Sequence, residues 1–280
     1  MSPLPPSTIG PPFDRRGADP AQPAPNVLDP ALVAELAAAI DDQGFAIARQ
    51  VVDRQLVAGI REVALRDRDR RIGPFELEAS LQYPGAPQPD GQGGGTIRRL
   101  LMAQTRSPLL TQWIADPLVV AVLAAHYGRP LVCPLAHHNC LMTKEPSFSS
   151  ETGWHQDVRY WSFAQPELCS VWLPLGPERA ENGALRLVPG SHRETFAADR
   201  FDEAKFFRTD LEQNATRLRD QVTAELDEGD VLFFHARMLH AAGRNTTQTP
   251  KLAAVFTYRP FDNPPQPGTR SVSQPELLIH

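Results

Sequence analysis

Two side chains able to bind a metal lie two residues apart in the segment TGWHQDVRYW, residues 152–161. In an extended segment His155 and Asp157 point to the same side, because side chains alternate between two faces of a strand. An imidazole nitrogen and a carboxylate oxygen that face one point can share a cation. The third ligand must come from elsewhere, and His240 in FFHARMLHAAGRN is the candidate. Two histidines and one carboxylate on one face of Fe(II) leave coordination positions open, as in the non-haem iron oxygenases.

The pair taken alone has an ordinary structural alternative. A surface-loop histidine beside an aspartate that caps a turn gives the same spacing, and such a pair arises by chance in a chain of 280 residues. His235 is a second candidate for the distal ligand, and its alternative role is that of a sheet-edge histidine or one packed behind the ligands. The choice between these interpretations depends on the wider sequence.

That wider sequence resembles the phytanoyl-CoA dioxygenase family in three segments that follow one another in the family's order. TGWHQD is followed by ENGALRLVPGSH at 181–192 and then by GDVLFFHARMLHAAGRN at 229–245. The resemblance runs from about Pro130 to Tyr258. Each piece is weak by itself, and the ordered combination is specific.

The resemblance implies a jelly-roll core and an enzyme that uses Fe(II), 2-oxoglutarate and O2. Its HxD motif falls on His155 and Asp157. Its distal histidine falls on His240, which is followed by a small residue, by Gly243 and by Asn245. These three side chains are the expected metal ligands and the centre of the expected catalytic site.

The anchor for 2-oxoglutarate departs from the family pattern. The family usually places an arginine eleven residues after the distal histidine, and that position here is Lys251. Lysine has the required charge, but it is a point donor and lacks the planar fork of a guanidinium. Lys251 could instead be a solvent-facing strand residue. Arg259 lies eight residues further on and would share the face of Lys251 on a regular strand, so it is the second candidate.

Three more side chains are candidates for contacts with the co-substrate or the substrate. His138 alternates with Cys140 and Met142 before the HxD motif, and the resemblance implies that this face lines the co-substrate pocket. His138 could then donate a hydrogen bond to 2-oxoglutarate, or it could be a core histidine. Arg159 could bind an acidic substrate or remain solvated. Trp161 could wall the substrate cavity or pack in the core.

Composition excludes several other classes of protein. The formal net charge of -5 and the pI of about 5.9 disfavour binding to a nucleic-acid backbone, which needs a basic face. Cys133, Cys140 and Cys169 are odd in number and form no CxxC pair, which disfavours a disulfide framework or a zinc site and fits a reducing cytoplasm. No signal-peptide pattern is visible, and the longest apolar stretch, near Pro117–Ala125, is short for a membrane span. We expect a cytoplasmic protein of undetermined oligomeric state, with no nucleic-acid or membrane partner.

The remaining sequence pattern predicts how these residues are positioned. Residues 1–26 are rich in proline and predict a flexible or extended arm, with wrapping over the domain as the alternative. Residues 27–280 are expected to form a single domain. Helical patterns come first, and turn-separated apolar segments follow, which predicts a mainly β protein with flanking helices and a double-stranded β-helix, or jelly-roll, core at about 130–260. The predicted helices are Ala31–Ile40, Asp53–Asp67 and Pro108–Gly128, and the predicted strands are Phe45–Ala48, Pro130–Thr143, Leu168–Leu175, Ala184–Val188, Val222–Leu226, Asp230–Phe234, Met238–Ala242 and Leu252–Tyr258.

The combined prediction is a 2-oxoglutarate-dependent dioxygenase that hydroxylates an unactivated C–H bond of a small molecule and releases succinate and CO2. Amino acids, fatty acyl compounds and secondary metabolites are the substrate classes that the resemblance implies. Epoxidation, desaturation or cyclisation by a related enzyme is one alternative. A cupin-like protein that binds a metal or metabolite without turnover is another. Asp157 disfavours a halogenase, since those relatives lack the carboxylate ligand.

Overall fold

Four helices lie in the N-terminal half of the described residues, and capping side chains set where each of them begins. The computed structural model describes residues 28–81 and 83–279, so the arm predicted for residues 1–26 lies outside the described residues. Helix α1 begins at Pro30 after Asp29, whose carboxylate accepts the Ala31 N–H, and it ends at Gly44 with φ +81°. The helices are α1 (Pro30–Gln43), α2 (Arg54–Asp69), α3 (Pro108–Ile114), α4 (Pro117–Tyr127) and α5 (Glu212–Arg217).

The stretch 108–128, predicted as one helix, is two helices, and the second begins at Pro117. Asp116 caps α4 and accepts the N–H groups of Leu118 and Val119. The whole stretch Pro108–Tyr127, with 20 residues and a mean hydropathy of 1.5, is long and apolar enough for a membrane span. It is longer than the apolar stretch near Pro117–Ala125 identified from the sequence. Its large apolar side chains nevertheless pack in the protein core, where Leu110, Trp113, Val119, Val122 and Leu123 are fully buried.

Two antiparallel sheets form the centre of the molecule. The larger has the order β1-β10-β7-β12-β5-β3-β2, with β4 paired to β12 and β13 paired to β4. The smaller has the order β6-β11-β8-β9. The strands are β1 (Phe45–Ala48), β2 (Phe75–Leu77), β3 (Ile97–Leu101), β4 (Leu131–Pro134), β5 (Asn139–Lys144), β6 (Thr152–His155), β7 (Cys169–Pro174), β8 (Leu185–Leu187), β9 (Val222–Thr223), β10 (Val231–His235), β11 (His240–Ala242), β12 (Lys251–Pro260) and β13 (Glu276–Ile279).

Both faces of the larger sheet are buried, and strand β12 illustrates how. Leu252, Ala254 and Phe256 pack into the core shared with the helices. Ala253 and Val255 point the other way, into the core between the two sheets. Two facing antiparallel sheets with helices against the outer face are the expected jelly-roll architecture. Lys251 has the same parity as Ala253, so its side chain faces the space between the sheets.

The structure corrects two details of the predicted elements. The segment Pro130–Thr143 is two strands, β4 and β5, because residues 135–138 turn between them. Strands β2, β3 and β13 lie outside the stretch predicted as the jelly-roll core. Of these, β3 pairs directly with β5, which places the Arg98–Arg99 segment beside the strand that follows His138.

Candidate active site

Strand pairing in the smaller sheet brings the two candidate histidines together. Strands β6 and β11 are antiparallel neighbours, and His240 lies directly opposite His155 in their register. Gln156 is extended, with φ -113° and ψ 136°, so Asp157 returns to the side of His155 as the spacing predicts. A 3-10 turn then begins at Asp157 and ends the alternation. The position of the Arg159 side chain is therefore determined by this turn and not by the alternation of a strand.

The three ligand candidates converge on one point. A ligand atom from each of His155, Asp157 and His240 lies within 4.8 Å of the others. The Oδ1 atom of Asp157 is 3.7 Å from Nε2 of each histidine. All three residues are buried.

Hydrogen bonds orient both imidazoles for metal binding. Nδ1 of His155 donates to the carbonyl of Gly153 at 2.8 Å, and Nδ1 of His240 donates to that of Met238 at 3.0 Å. A carbonyl can only accept, so each ring carries its proton on Nδ1 and turns a lone pair on Nε2 toward Asp157. Metal-binding histidines are commonly fixed in this way by a backbone carbonyl behind the ring. This donor set fits a divalent metal such as Fe(II).

The charge states of the cluster suit a cation. Burial, together with the neighbouring His240, lowers the pKa of His155 to about 3, although the hydrogen bond to Asp157 opposes this. Burial raises the pKa of Asp157, but His138, His240 and His155 lower it more, so that it lies well below its usual range. At neutral pH the pocket therefore presents a carboxylate and a neutral imidazole, which are the forms that bind metals.

One cavity of about 500 Å³ surrounds this cluster, within the size range of small-molecule sites. The structure brings most of the predicted site residues to its wall. In addition to the three ligand candidates, the lining includes His138, Arg159, Trp161 and Lys251.

Lys251 reaches the cavity as part of a buried ion pair. Its Nζ donates to Oε2 of Glu178 at 2.9 Å and lies 4.9 Å from the centroid of the Trp172 ring. Trp172 donates its indole N–H to Oε1 of the same carboxylate at 2.8 Å. Lys251 is 5% exposed and Glu178 is fully buried. The ammonium group has three N–H donors, and the contact with Glu178 uses one of them.

Arg259 does not reach the cavity, and the interpretation of it as a second anchor is wrong. Eight residues along an extended strand span about 26 Å, so sharing a face with Lys251 does not make the two residues neighbours. The Arg259 guanidinium forms two hydrogen bonds with the carboxylate of Glu276, at 2.9 and 2.5 Å, and donates to the carbonyls of Pro260 and Phe261. Arg259 instead ties β12 to β13.

His138 and Trp161 form one side of the metal cluster. Nδ1 of His138 is 3.2 Å from Oγ of Ser170 and 3.7 Å from Oδ2 of Asp157, so it supports the carboxylate from behind. Burial lowers the pKa of His138 to about 4, against the opposing effect of Asp157. The ring of Trp161 meets that of His138 edge to face, with centroids 5.2 Å apart. The rings of His235 and His192 contact each other at a tilt, with centroids 5.4 Å apart, and neither lines the cavity.

Sequence reasoning missed several residues of the cavity wall. Glu178 lies in the loop after β7, where no spacing relates it to Lys251. Arg98 and Arg99 lie on β3 and also line the cavity, where Arg99 is held by Glu76 at 2.9 and 2.5 Å. Phe206 comes from a segment with no recognisable motif. The one available signal for Arg98 and Arg99 was their position just after the glycine run at 93–95, which left a place in the pocket wall open for them.

The jelly roll and its buried His-Asp-His cluster are those of a non-haem iron oxygenase. Residues 25–253 match the sequence model of the phytanoyl-CoA dioxygenase (PhyH) family, and the chain belongs to that family. It is a 2-oxoglutarate-dependent dioxygenase whose cofactors are Fe(II), 2-oxoglutarate and O2.

Individual relatives are distant. A probable phytanoyl-CoA dioxygenase of Caenorhabditis elegans is 27% identical over 152 residues, which cover 50% of this chain and 47% of that protein. The ectoine dioxygenase of Bordetella parapertussis is 24% identical over 261 residues, covering 85% of this chain and 80% of that protein. The chain thus spans about half of the first relative and about four-fifths of the second.

Solved structures show the same fold. The iron-bound structure of EctD from S. alaskensis has a TM-score of 0.70 and 20% identity, covering 88% of this chain and 86% of that one. The non-heme alpha ketoglutarate dependent epimerase SnoN from nogalamycin biosynthesis has a TM-score of 0.66 and 25% identity, covering 83% of this chain and 84% of that one.

Proposed function

We propose that this protein hydroxylates an unactivated C–H bond of a small molecule and converts 2-oxoglutarate to succinate and CO2. The proposal is supported by the two Nε2 atoms and one carboxylate oxygen that converge in the same 500 Å³ cavity as a buried lysine. His155, Asp157 and His240 would hold Fe(II). The bound metal, with 2-oxoglutarate and O2, supplies the oxidising chemistry.

Lys251 would bind the carboxylate of 2-oxoglutarate that is remote from the metal. It lies on the wall of the metal cavity, is almost fully buried, and retains N–H donors beyond the one given to Glu178. Glu178 would hold the ammonium group in place and offset its charge while the site is empty. His138 would support Asp157 through Nδ1 and could present Nε2 to the co-substrate.

The proposed setting is a reducing cytoplasm. Cys133, Cys140 and Cys169 are all buried and unpaired, and burial raises their thiol pKa values. Thiols of this kind are poor nucleophiles and act as small apolar core residues.

An anaerobic titration tests the function before any substrate is known. Apo-protein receives Fe(II) and then 2-oxoglutarate, and visible absorption is recorded. We expect a weak charge-transfer band that requires both additions and is absent in His155→Ala. Iron binding without a band at saturating 2-oxoglutarate would refute the role of Lys251, and no iron binding would refute the proposed metal site.

A further inference from the structure

Arg159 is a cation held in the cavity wall by aromatic rings. Its guanidinium carbon lies 4.2 Å from the centroid of the Phe206 ring and 4.7 Å from that of Tyr160. Nη2 donates to the hydroxyl of Tyr83 at 3.4 Å. Within residues 28–81 and 83–279, no carboxylate lies within ion-pair distance of it. Its positive charge is therefore positioned but not neutralised.

One buried nitrogen of this guanidinium lacks a hydrogen-bond partner among the described residues. Nη1 is buried, and no acceptor reaches it from the part of the chain that the structure describes. Buried polar groups in folded proteins are nearly always paired, and an unpaired N–H on a charged group is costly. A built site with an unused, buried, charged donor is suited to an anionic ligand.

The position of Arg159 relates it to the metal cluster. It lies two residues after Asp157, and Phe206, on which it stacks, meets the ring of His155 edge to face at 5.9 Å. The neighbours of Arg159 are Tyr83, Tyr160 and Phe206, whereas those of Lys251 are Glu178 and Trp172. The two cations share none of these contact residues, so they occupy different parts of the cavity wall.

The side chains around Arg159 indicate what kind of group is attached to the anion. Tyr160, Trp161 and Phe206 line the cavity around Arg159 and offer apolar ring surface. Arg270, an exposed cation on the same lining, adds positive potential at the cavity wall. A planar carboxylate matches a guanidinium better than other small anions do, because two parallel N–H donors meet its two oxygens.

We propose that the substrate is a small organic acid with an apolar or aromatic body, and that Arg159 binds its carboxylate. This inference rests on the proposed function, since it names the substrate class of the same site. The carboxylate would fix the acid at one end and place its apolar carbons beside the metal ligands.

Calorimetric titration of the anaerobic Fe(II)–2-oxoglutarate protein tests the proposal. The probes are benzoate, phenylacetate, hexanoate and decanoate, each compared with its primary amide, which has the same shape and no charge. We expect at least one acid to bind wild type about tenfold or more tightly than its amide, as a charge-assisted contact implies. We expect that preference to vanish in Arg159→Met and to persist in part in Arg159→Lys.

The controls distinguish the proposed role of Arg159 from the proposed 2-oxoglutarate-dependent function on which it rests. Arg208→Met, which alters a partly exposed arginine paired with Asp210 outside the cavity, should retain the preference for acids. The 2-oxoglutarate affinity of Arg159→Met should equal that of wild type, and its loss would mean that Arg159 anchors the co-substrate. No acid binding better than its amide to wild type, or an unchanged preference in Arg159→Met, would overturn the proposal. Failure of wild type to bind 2-oxoglutarate would instead refute the proposed function.

Discussion

The buried pair of Lys251 and Glu178 allows the structural and the co-substrate roles of Lys251 to be measured apart. In Lys251→Met the fully buried carboxylate of Glu178 keeps only the Trp172 N–H as a partner among the described residues. Breaking a buried ion pair by removing one partner costs about 3–5 kcal/mol, mostly because the other charge is left uncompensated. In the double variant Lys251→Met/Glu178→Gln both charges are gone, so we expect most of that loss to be recovered.

The affinity for 2-oxoglutarate should behave differently. A lost charge-assisted hydrogen bond of about 1.5–3 kcal/mol corresponds to a dissociation constant that is about ten- to 150-fold higher. We expect this increase in the single and in the double variant, because neither has a cation at position 251.

The Glu178→Gln single variant completes the double-mutant cycle, and two assays are applied to all four proteins. Urea unfolding gives the free energy of unfolding, and anaerobic titration of the Fe(II) protein gives the 2-oxoglutarate dissociation constant. Wild-type affinity in the double variant would show that Lys251 is not the anchor. An undiminished free energy of unfolding in Lys251→Met would contradict the buried ion pair itself.

Three further outcomes are expected. Arg259→Met should lower the free energy of unfolding by about 1–3 kcal/mol, through loss of its contacts with Glu276, while the 2-oxoglutarate dissociation constant stays that of wild type; weakened co-substrate binding would restore Arg259 as an anchor. Burial, with a contribution from nearby Lys251, lowers the pKa of Lys144 from 10.5 to about 7, so the unfolded chain binds one more proton between those values. Stability of wild type relative to Lys144→Met should therefore rise from pH 7 to about pH 10, and a flat difference in urea-unfolding free energy would refute this. Gly183→Ala should lower the free energy of unfolding, measured by thermal denaturation, by about 1–3 kcal/mol, because φ is +82° and a Cβ would lie 2.5 Å from a backbone carbonyl oxygen. Gly176→Ala is the control and should be nearly neutral, since open space surrounds that position.

The sequence by itself determined the features that depend on neighbouring residues. The pairing of Asp29 with Pro30 and the αL residue Gly44 set the bounds of α1, since caps and turns depend on a few consecutive side chains. The HxD spacing predicted that His155 and Asp157 share a face, because one extended residue separates them. The ordered motifs predicted His240 as their partner and the family to which the chain belongs.

Only the tertiary structure decided which distant residues meet. Spacing along β12 could not distinguish a shared face from a shared site, and the length of an extended strand carries Arg259 away from the metal cluster. Two further contacts illustrate the same limit. The ion pair between Glu178 and Lys251 and the contact between Arg159 and the Phe206 ring both join segments that are remote in the chain. Such contacts arise from the packing of two sheets and their loops. A pattern of neighbouring residues in the sequence does not predict that packing.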